Sequence, residues 1–382
     1  MSGGYGISAI ILAGKGRGVT PVPAALLDII ERIEVLQVED GQSGFRLVFG
    51  ATPASGLRSN DFSVLAGGKF DAFNRVVIMV AQGAVPTVLM DGIVTDQWLN
   101  PDDASGGQIV ISGSDVSVMM DLDEVAAAHP GQSESMIAAK LIGRYKSWGL
   151  IPNVKQPKGE ETPLPTQRML TQRGTDLDYL HAMAARFGFV FRVTPGPMRL
   201  MSTGYWGPAV TSGTQRRALT LATAGLGNVE RMVFTNSGLA AERVSGWIQD
   251  PQTNKPRSID IRSPDLPQIA RQTPYSTPGG KTKQRLLSRD DGLSFTQAQA
   301  LAQGRVNQST LRIASVEGEV DTVAYGDILR PAASVGVRGA GASFDGLYAV
   351  AEVTHVLAPG SYRQQFRLRR DGTGSRQTLV RP

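Results

Sequence analysis

Between Ala24 and Val94 the apolar residues come only in short bursts, and this patterning restricts the fold more than any other feature of the chain. Ile33-Glu34-Val35-Leu36-Gln37-Val38 is followed by Phe45-Arg46-Leu47-Val48-Phe49, by Val76-Val77-Ile78-Met79-Val80 and by Thr87-Val88-Leu89-Met90. Each burst is bounded by Gly, Pro, Asp or Asn, and several alternate at period two, as half-buried antiparallel strands do. That pattern predicts a barrel or a sandwich, and Ile109-Val110-Ile111-Ser112-Gly113-Ser114-Asp115 adds a strand before it changes. Gly (44) and Pro (22) are abundant and charged residues make up only 19%, which favours many turns and short strands over long charged helices.

The next segment reads as a small α/β unit. Ile137, Leu141, Tyr145 and Trp148 fall on one helical face, with Ser133 placed to cap its start and Gly149 its end. After an extended stretch with prolines at 152, 157, 163 and 165, Thr175 and Asp178 form a capping box. Leu177, Leu180, Ala184 and Phe187 line that second helix, which Gly188 ends before the strand Phe189-Val190-Phe191-Arg192-Val193. Prolines at 251, 256, 264, 267, 274 and 278 predict that residues 250–290 are an extended arm or mobile loop instead of a core element. A short helix, Thr296–Val306, then precedes a second β-rich block at Val316–Val323, Asp327–Leu329, Leu347–Val350 and Tyr362–Leu368. Met90-Asp91-Gly92-Ile93-Val94 and Phe344-Asp345-Gly346-Leu347-Tyr348 read as matching Asp-Gly turns, each feeding an apolar strand.

At 382 residues with 41% hydrophobic content the chain holds two or three domains and can fill ordinary cores. It has no cysteine, which excludes disulfides, thiolate metal sites and cysteine nucleophiles. No basic leader followed by an apolar core opens it, and no stretch approaches about 20 uninterrupted apolar residues, so neither export by a signal peptide nor a membrane span is expected. The net charge of +5 is thinly spread, with arginine pairs at Arg216-Arg217 and Arg369-Arg370 but no dense basic block. A basic surface facing an acidic partner fits that distribution as well as nucleic acid does, and no specific nucleic-acid partner is expected.

Motifs for catalysis are missing at the expected spacings. His129, His181 and His355 stand apart in apolar or small surroundings and read as capping or hydrogen-bonding positions, with no metal-ligand spacing. Gly279-Gly280-Lys281-Thr282 departs from a P-loop because Tyr275 occupies the leading glycine position. Gly14-Lys15-Gly16-Arg17-Gly18 runs into Pro21 and Pro23 instead of a helix, so it is no dinucleotide fingerprint. Asp121, Asp123 and Glu124 read as a solvated turn in preference to a glycosidase pair or a divalent-metal site. No catalytic, cofactor-binding or metal residue is therefore assigned.

Several phrases together resemble the phage late control protein D family, which shares its fold with the hub portion of VgrG spikes and with baseplate hubs of contractile phages. They are Leu89-Met90-Asp91-Gly92-Ile93-Val94-Thr95 with Ile109–Asp115, then Gln172–Leu180 continuing through Ala185–Phe189, then Tyr348–His355 with Gly360–Phe366 and Arg369-Arg370-Asp371-Gly372. Their order and separation carry the match over nearly the whole chain. The resemblance implies a mainly β fold with an α+β insertion: two tube-like antiparallel β-barrel domains, 1–118 and 236–382, around an α/β domain, 119–235. It also implies a homotrimer whose six barrels adapt a hexameric inner tube or tube initiator to a trimeric spike, among other baseplate proteins, assembled in the bacterial cytoplasm. No repetitive β-helix follows, so the spike is expected on a separate chain. A tail tube initiator, a baseplate-associated cell-wall hydrolase, and an unrelated nucleic-acid- or carbohydrate-binding module are the alternatives.

Overall fold

The computed structural model describes residues 7–53, 61–82, 86–101, 107–166, 168–211, 213–221, 227–251, 253–287 and 293–376. The opening residues 1–6, in which no leader is read, and residues 252 and 288–290 of the expected arm lie outside them.

The early bursts become β1 (Ile7–Gly14), β2 (Thr20–Pro21), α1 (Ala24–Leu27), β3 (Ile30–Val38), β4 (Gly44–Gly50), α2 (Ser63–Ala66), β5 (Arg75–Gln82), β6 (Pro86–Asn100) and β7 (Gln108–Asp115). These strands pair antiparallel in the order β3-β4-β7-β6-β5-β1-β2. Ile11 of β1 shares one core with Val35 of β3, Phe49 of β4 and Ile111 of β7. Strands that far apart in the pairing order share a core only if the sheet curls over it. Asp91-Gly92 is not a turn: it lies inside β6, where Gly92 pairs with Val76 on one side and Asp115 on the other. A Cβ on Gly92 would stand 2.6 Å from the Ser114 carbonyl oxygen, and one on Gly113 2.7 Å from the Phe45 ring. The two glycines are thus the flat seat on which Phe45 packs.

The middle unit holds β8 (Val125–His129), α3 (Glu134–Arg144), β9 (Leu150–Val154), β10 (Leu170–Gly174), α4 (Asp176–Phe187), β11 (Phe189–Pro195) and β12 (Ser202–Pro208). Ser133 caps α3 through the Met136 amide and Thr175 caps α4 through the Asp178 amide, as the spacing predicts. The first helix is shorter than expected, because Tyr145–Trp148 tightens into a 3-10 turn ending at left-handed Gly149. Ile137, Leu141, Leu180, Phe187 and Trp206 meet in this unit's core.

Two strands that fall in or at the edge of the span 119–235 implied for the middle domain, β13 (Gln215–Thr220) and β14 (Arg231–Asn236), join the large sheet. The proline-rich stretch also departs from expectation. It contributes to a unit made of β15 (Glu242–Asp250), β16 (Lys255–Ile261), β18 (Lys283–Leu286) and α5 (Phe295–Thr310), while β17 (Ala270–Gln272) pairs with residues 373–375 near the end of the described chain. β16-β15-β18 form a sheet against α5, burying Val244, Ile259, Ala298, Ala302 and Val306 together. The prolines do not prevent this: Pro251 follows a strand, Pro256 sits on the edge strand β16 and the rest fall in connections, where a missing amide donor costs nothing. Helix α5 is capped by Ser294 and runs four residues beyond the predicted Val306, to Thr310.

The last block is β19 (Ala314–Asp321), α6 (Thr322–Tyr325), β20 (Ser334–Arg338), β21 (Gly346–Ala358), β22 (Ser361–Arg370) and β23 (Thr373–Ser375). Asp327–Leu329, expected as a strand, is not one. The Gln364 side chain takes the place of a strand partner there, accepting from the Leu329 amide and donating to its carbonyl, both at 3.0 Å. Val316, Tyr325, Tyr348, Val350 and Phe366 form the core of this block. Pairing of β21 with β3 joins both blocks into one 13-stranded sheet, β14-β19-β22-β21-β3-β4-β7-β6-β5-β1-β2, with β20 beside β21 and β13 parallel to β20. The fold is mainly β, with one large and mostly antiparallel sheet and two smaller α/β units, which meet through α4 and α5.

Gly188 and Gly304 set how closely α4 and α5 approach. Gly188 is left-handed (φ +66°), and a Cβ on Gly304 would fall 2.5 Å from the Gly188 nitrogen. Backbone cannot yield as a side-chain tip does, so Gly304→Val is expected to destabilise by about 1–3 kcal/mol. A thermal melt indistinguishable from wild type would show that this approach is not needed.

Candidate functional site

No concave catalytic constellation assembles from the residues singled out in the sequence. Among the described residues no group of three or more His, Asp or Glu is arranged to hold a metal ion. The buried polar groups instead stitch elements together, and the exposed ones form a surface.

The first stitch joins the early sheet to the middle unit. Arg75 of β5 reaches Asp91 of β6 through two hydrogen bonds, Nε at 2.6 Å and Nη2 at 2.8 Å, with both side chains fully buried. The same Nη2 donates to the Trp148 carbonyl at 2.8 Å. The second stitch centres on Glu39, just beyond β3. Its carboxylate accepts from Arg369 of β22 and, at 2.5 Å, from the Val210 amide, while Arg192 of β11 donates to its carbonyl and lies 4.1 Å over the Tyr205 ring.

The third stitch lies on the β3–β21 join itself. His355 is completely buried, with Nε2 3.2 Å from Gln37 Oε1 and Nδ1 2.8 Å from the Tyr362 hydroxyl. Gln37 Nε2 donates to the Leu89 carbonyl at 2.6 Å, which fixes Oε1 as the atom facing the ring. An amide oxygen only accepts, so the imidazole carries its proton on Nε2 and accepts from Tyr362 at Nδ1. Burial, with the Arg330 charge adding to it, pushes the His355 pKa down to about 3, so the ring stays neutral.

His129, buried on β8, has Nε2 3.3 Å from Gln172 Oε1, and Gln172 in turn donates to Asp176 at the start of α4. His181 meets the Phe191 ring edge-on. Of the three sequence-adjacent carboxylates, Asp121 accepts from the Thr175 hydroxyl at 2.8 Å and all three side chains are exposed. Gly14–Gly18 closes a turn through the Gly18 amide and Lys15 carbonyl, and Gly280 closes another on Thr277, neither leading into a helix.

The outward face of the large sheet is the feature best formed for recognition. Register aligns Asp321, Arg363, Val356, Glu34, Arg46, Ser112 and Asp96 in one row across β19, β22, β21, β3, β4, β7 and β6. Beside it Arg363 pairs with Glu230 and Glu319, and Arg367 with Glu317 and Glu352. Such exposed pairs contribute about 0–1 kcal/mol each, so their value lies in oriented charge more than in stability. Arg46 stacks 5.1 Å over Trp98, which is exposed together with its neighbour Leu99. This row was not read from the sequence, since it depends on pairing between strands more than 300 residues apart.

This architecture defines the class: the chain has the fold of phage tail proteins and of a type VI secretion component. It superposes on the tail protein from Neisseria meningitidis MC58 with a TM-score of 0.63 at 14% identity, over 96% of this chain and 97% of that one. The prophage MuSo2 43 kDa tail protein from Shewanella oneidensis gives 0.64 at 13% identity, over 96% of this chain and all of that one. The E. coli c3393 protein, a type VI secretion component described as similar to the T4 tail proteins gp27 and gp5, gives 0.54 at 13%, over 92% and 77%. No family profile and no curated protein matches the sequence.

Proposed function

We propose that this chain is the hub protein of a phage-tail or injection-system baseplate, a homotrimer that adapts a hexameric inner tube to a trimeric spike. The observation that carries the reading is the β3–β21 join, which fuses two curled sheet halves edge to edge in one chain. Three such chains supply six curled units in a ring, which is what threefold-to-sixfold adaptation requires. In this reading the units run as a first barrel, an α/β unit and a second barrel, with the 242–310 unit as an addition to the latter. The likeness to tail proteins over almost the full length supports a structural role in a tail or baseplate. The buried stitches suit a part that bears load, and the assembly takes place in the bacterial cytoplasm without membrane insertion; among the described residues no helix is long and apolar enough to cross a membrane.

The runner-up is a tube initiator, and subunit count separates the two. Native mass spectrometry of the purified chain, with and without a candidate spike protein, is expected to give a trimer, alone or on the spike. A six-subunit ring would move the assignment to a tube initiator. A monomer indifferent to any spike would remove the hub reading altogether.

A further inference from the structure

The unit built by the proline-rich stretch borders an open-mouthed cavity of 570 Å³ between β15, β18, α5 and the end of α4. Four cationic side chains line it, Lys283, Arg285, Arg305 and Arg312, against a single carboxylate, Glu242. Arg285 Nε lies 2.7 Å and Arg305 Nε 3.3 Å from the two Glu242 oxygens. Tyr275 anchors the wall by donating to the Glu242 carbonyl at 2.8 Å. Among the described residues Lys283 and Arg312 have no carboxylate within ion-pairing distance, so the cavity keeps a net excess of three positive charges. Apart from Gln308 and Ser309 its remaining wall is aliphatic, and Leu239 at the rim is 81% exposed.

We propose that this cavity is a docking site for an acidic segment of a partner protein, one that sets carboxylates against Lys283 and Arg312 and an aliphatic side chain against Leu239. Charge complementarity selects the sign of the partner. The wall selects its class: single-stranded nucleic acid is held by bases stacked on aromatic rings, and among the described residues no aromatic side chain lines this cavity. Glu242, held by Arg285 and Arg305, still offers carboxylate lone pairs that can accept from a peptide amide. The proposal goes beyond the hub reading and does not depend on it, because the site lies within one chain.

The test uses the full chain and a fluorescein-labelled peptide of alternating Glu and Leu, followed by fluorescence anisotropy at low salt. Lys283→Glu with Arg312→Glu is expected to weaken binding about tenfold or more, and Leu239→Asp several-fold. Reversal of distant surface cations, Arg17→Glu with Lys140→Glu, is expected to leave it within about twofold. Among the described residues neither Lys283 nor Arg312 makes an ion pair, so thermal melts should match wild type. The proposal is overturned if the wild type does not bind the peptide, or if the double reversal changes nothing or no more than the distant one. A single-stranded oligonucleotide that displaces the peptide and binds regardless of Leu239 would overturn it equally.

Discussion

Replacing Arg75 with Met is expected to destabilise the protein by about 3–5 kcal/mol, the usual consequence of leaving one member of a buried ion pair without the other. The Arg75–Asp91 pair has no access to solvent, so the Asp91 carboxylate would lose two charge-assisted donors with no water to replace them. The Trp148 carbonyl would lose its donor as well, loosening the middle unit from the early sheet. Pairing the change with Asp91→Leu should recover most of the loss, because two apolar groups of similar volume need neither desolvated charge nor partner. Urea unfolding of wild type, both single variants and the double variant gives the coupling directly. A single variant costing under about 1 kcal/mol, with the double no better, would show that the pair is not what holds these strands.

Local signals made some elements legible and left others hidden. Helix α4 could be read because its information is contiguous: Thr175 caps one end and left-handed Gly188 closes the other. The early strands could be read because one buried face imposes alternation. Residues 250–290 could not, since the partners that turn them into a sheet are on β15 and α5 and prolines look alike in a loop and on a strand edge. Asp91-Gly92 misled for the opposite reason. The dipeptide is a turn signal, but here the aspartate is held in mid-strand by Arg75, while the second copy, Asp345-Gly346, does lead into β21.

Among functional features, His129 and His355 are hydrogen-bonded, as their surroundings suggested, while His181 meets the Phe191 ring, and the networks of the first two were not visible in the sequence. Glu39 shows why. In sequence it opens an acidic, glycine-containing turn that suggests solvent, yet it is buried and receives donors from residues 171 and 330 positions away. Side chains that stitch distant elements carry no local periodicity, so composition and spacing pass over them.

His355 supplies the last test, and its sign follows from which state binds the proton. In the unfolded chain its pKa is near 6.5, whereas in the folded protein burial holds it at about 3. Above the unfolded value neither state is protonated and the network is fully stabilising. As pH falls below it the unfolded chain takes up a proton that the folded one refuses, removing about 1.4 kcal/mol per pH unit until the folded pKa is reached. Asp115 works the other way. Burial pushes its pKa up to about 6, so between there and its unfolded value the folded state binds the proton first and gains stability on acidification. Burial likewise raises Glu39, Asp40 and Asp371, so the slope of the wild type alone mixes opposing contributions. The comparison that isolates the histidine is wild type against His355→Asn, each unfolded in urea at a series of pH values. At pH 7.5 the variant should be the less stable, for lack of the contacts to Gln37 and Tyr362. By pH 4.5 that deficit should have shrunk by about 3 kcal/mol, because the variant has no imidazole for the unfolded chain to protonate. A deficit that stays constant over this range would mean that His355 accepts its proton in the folded protein, and the neutral, fully buried join between the two sheet halves would have to be abandoned.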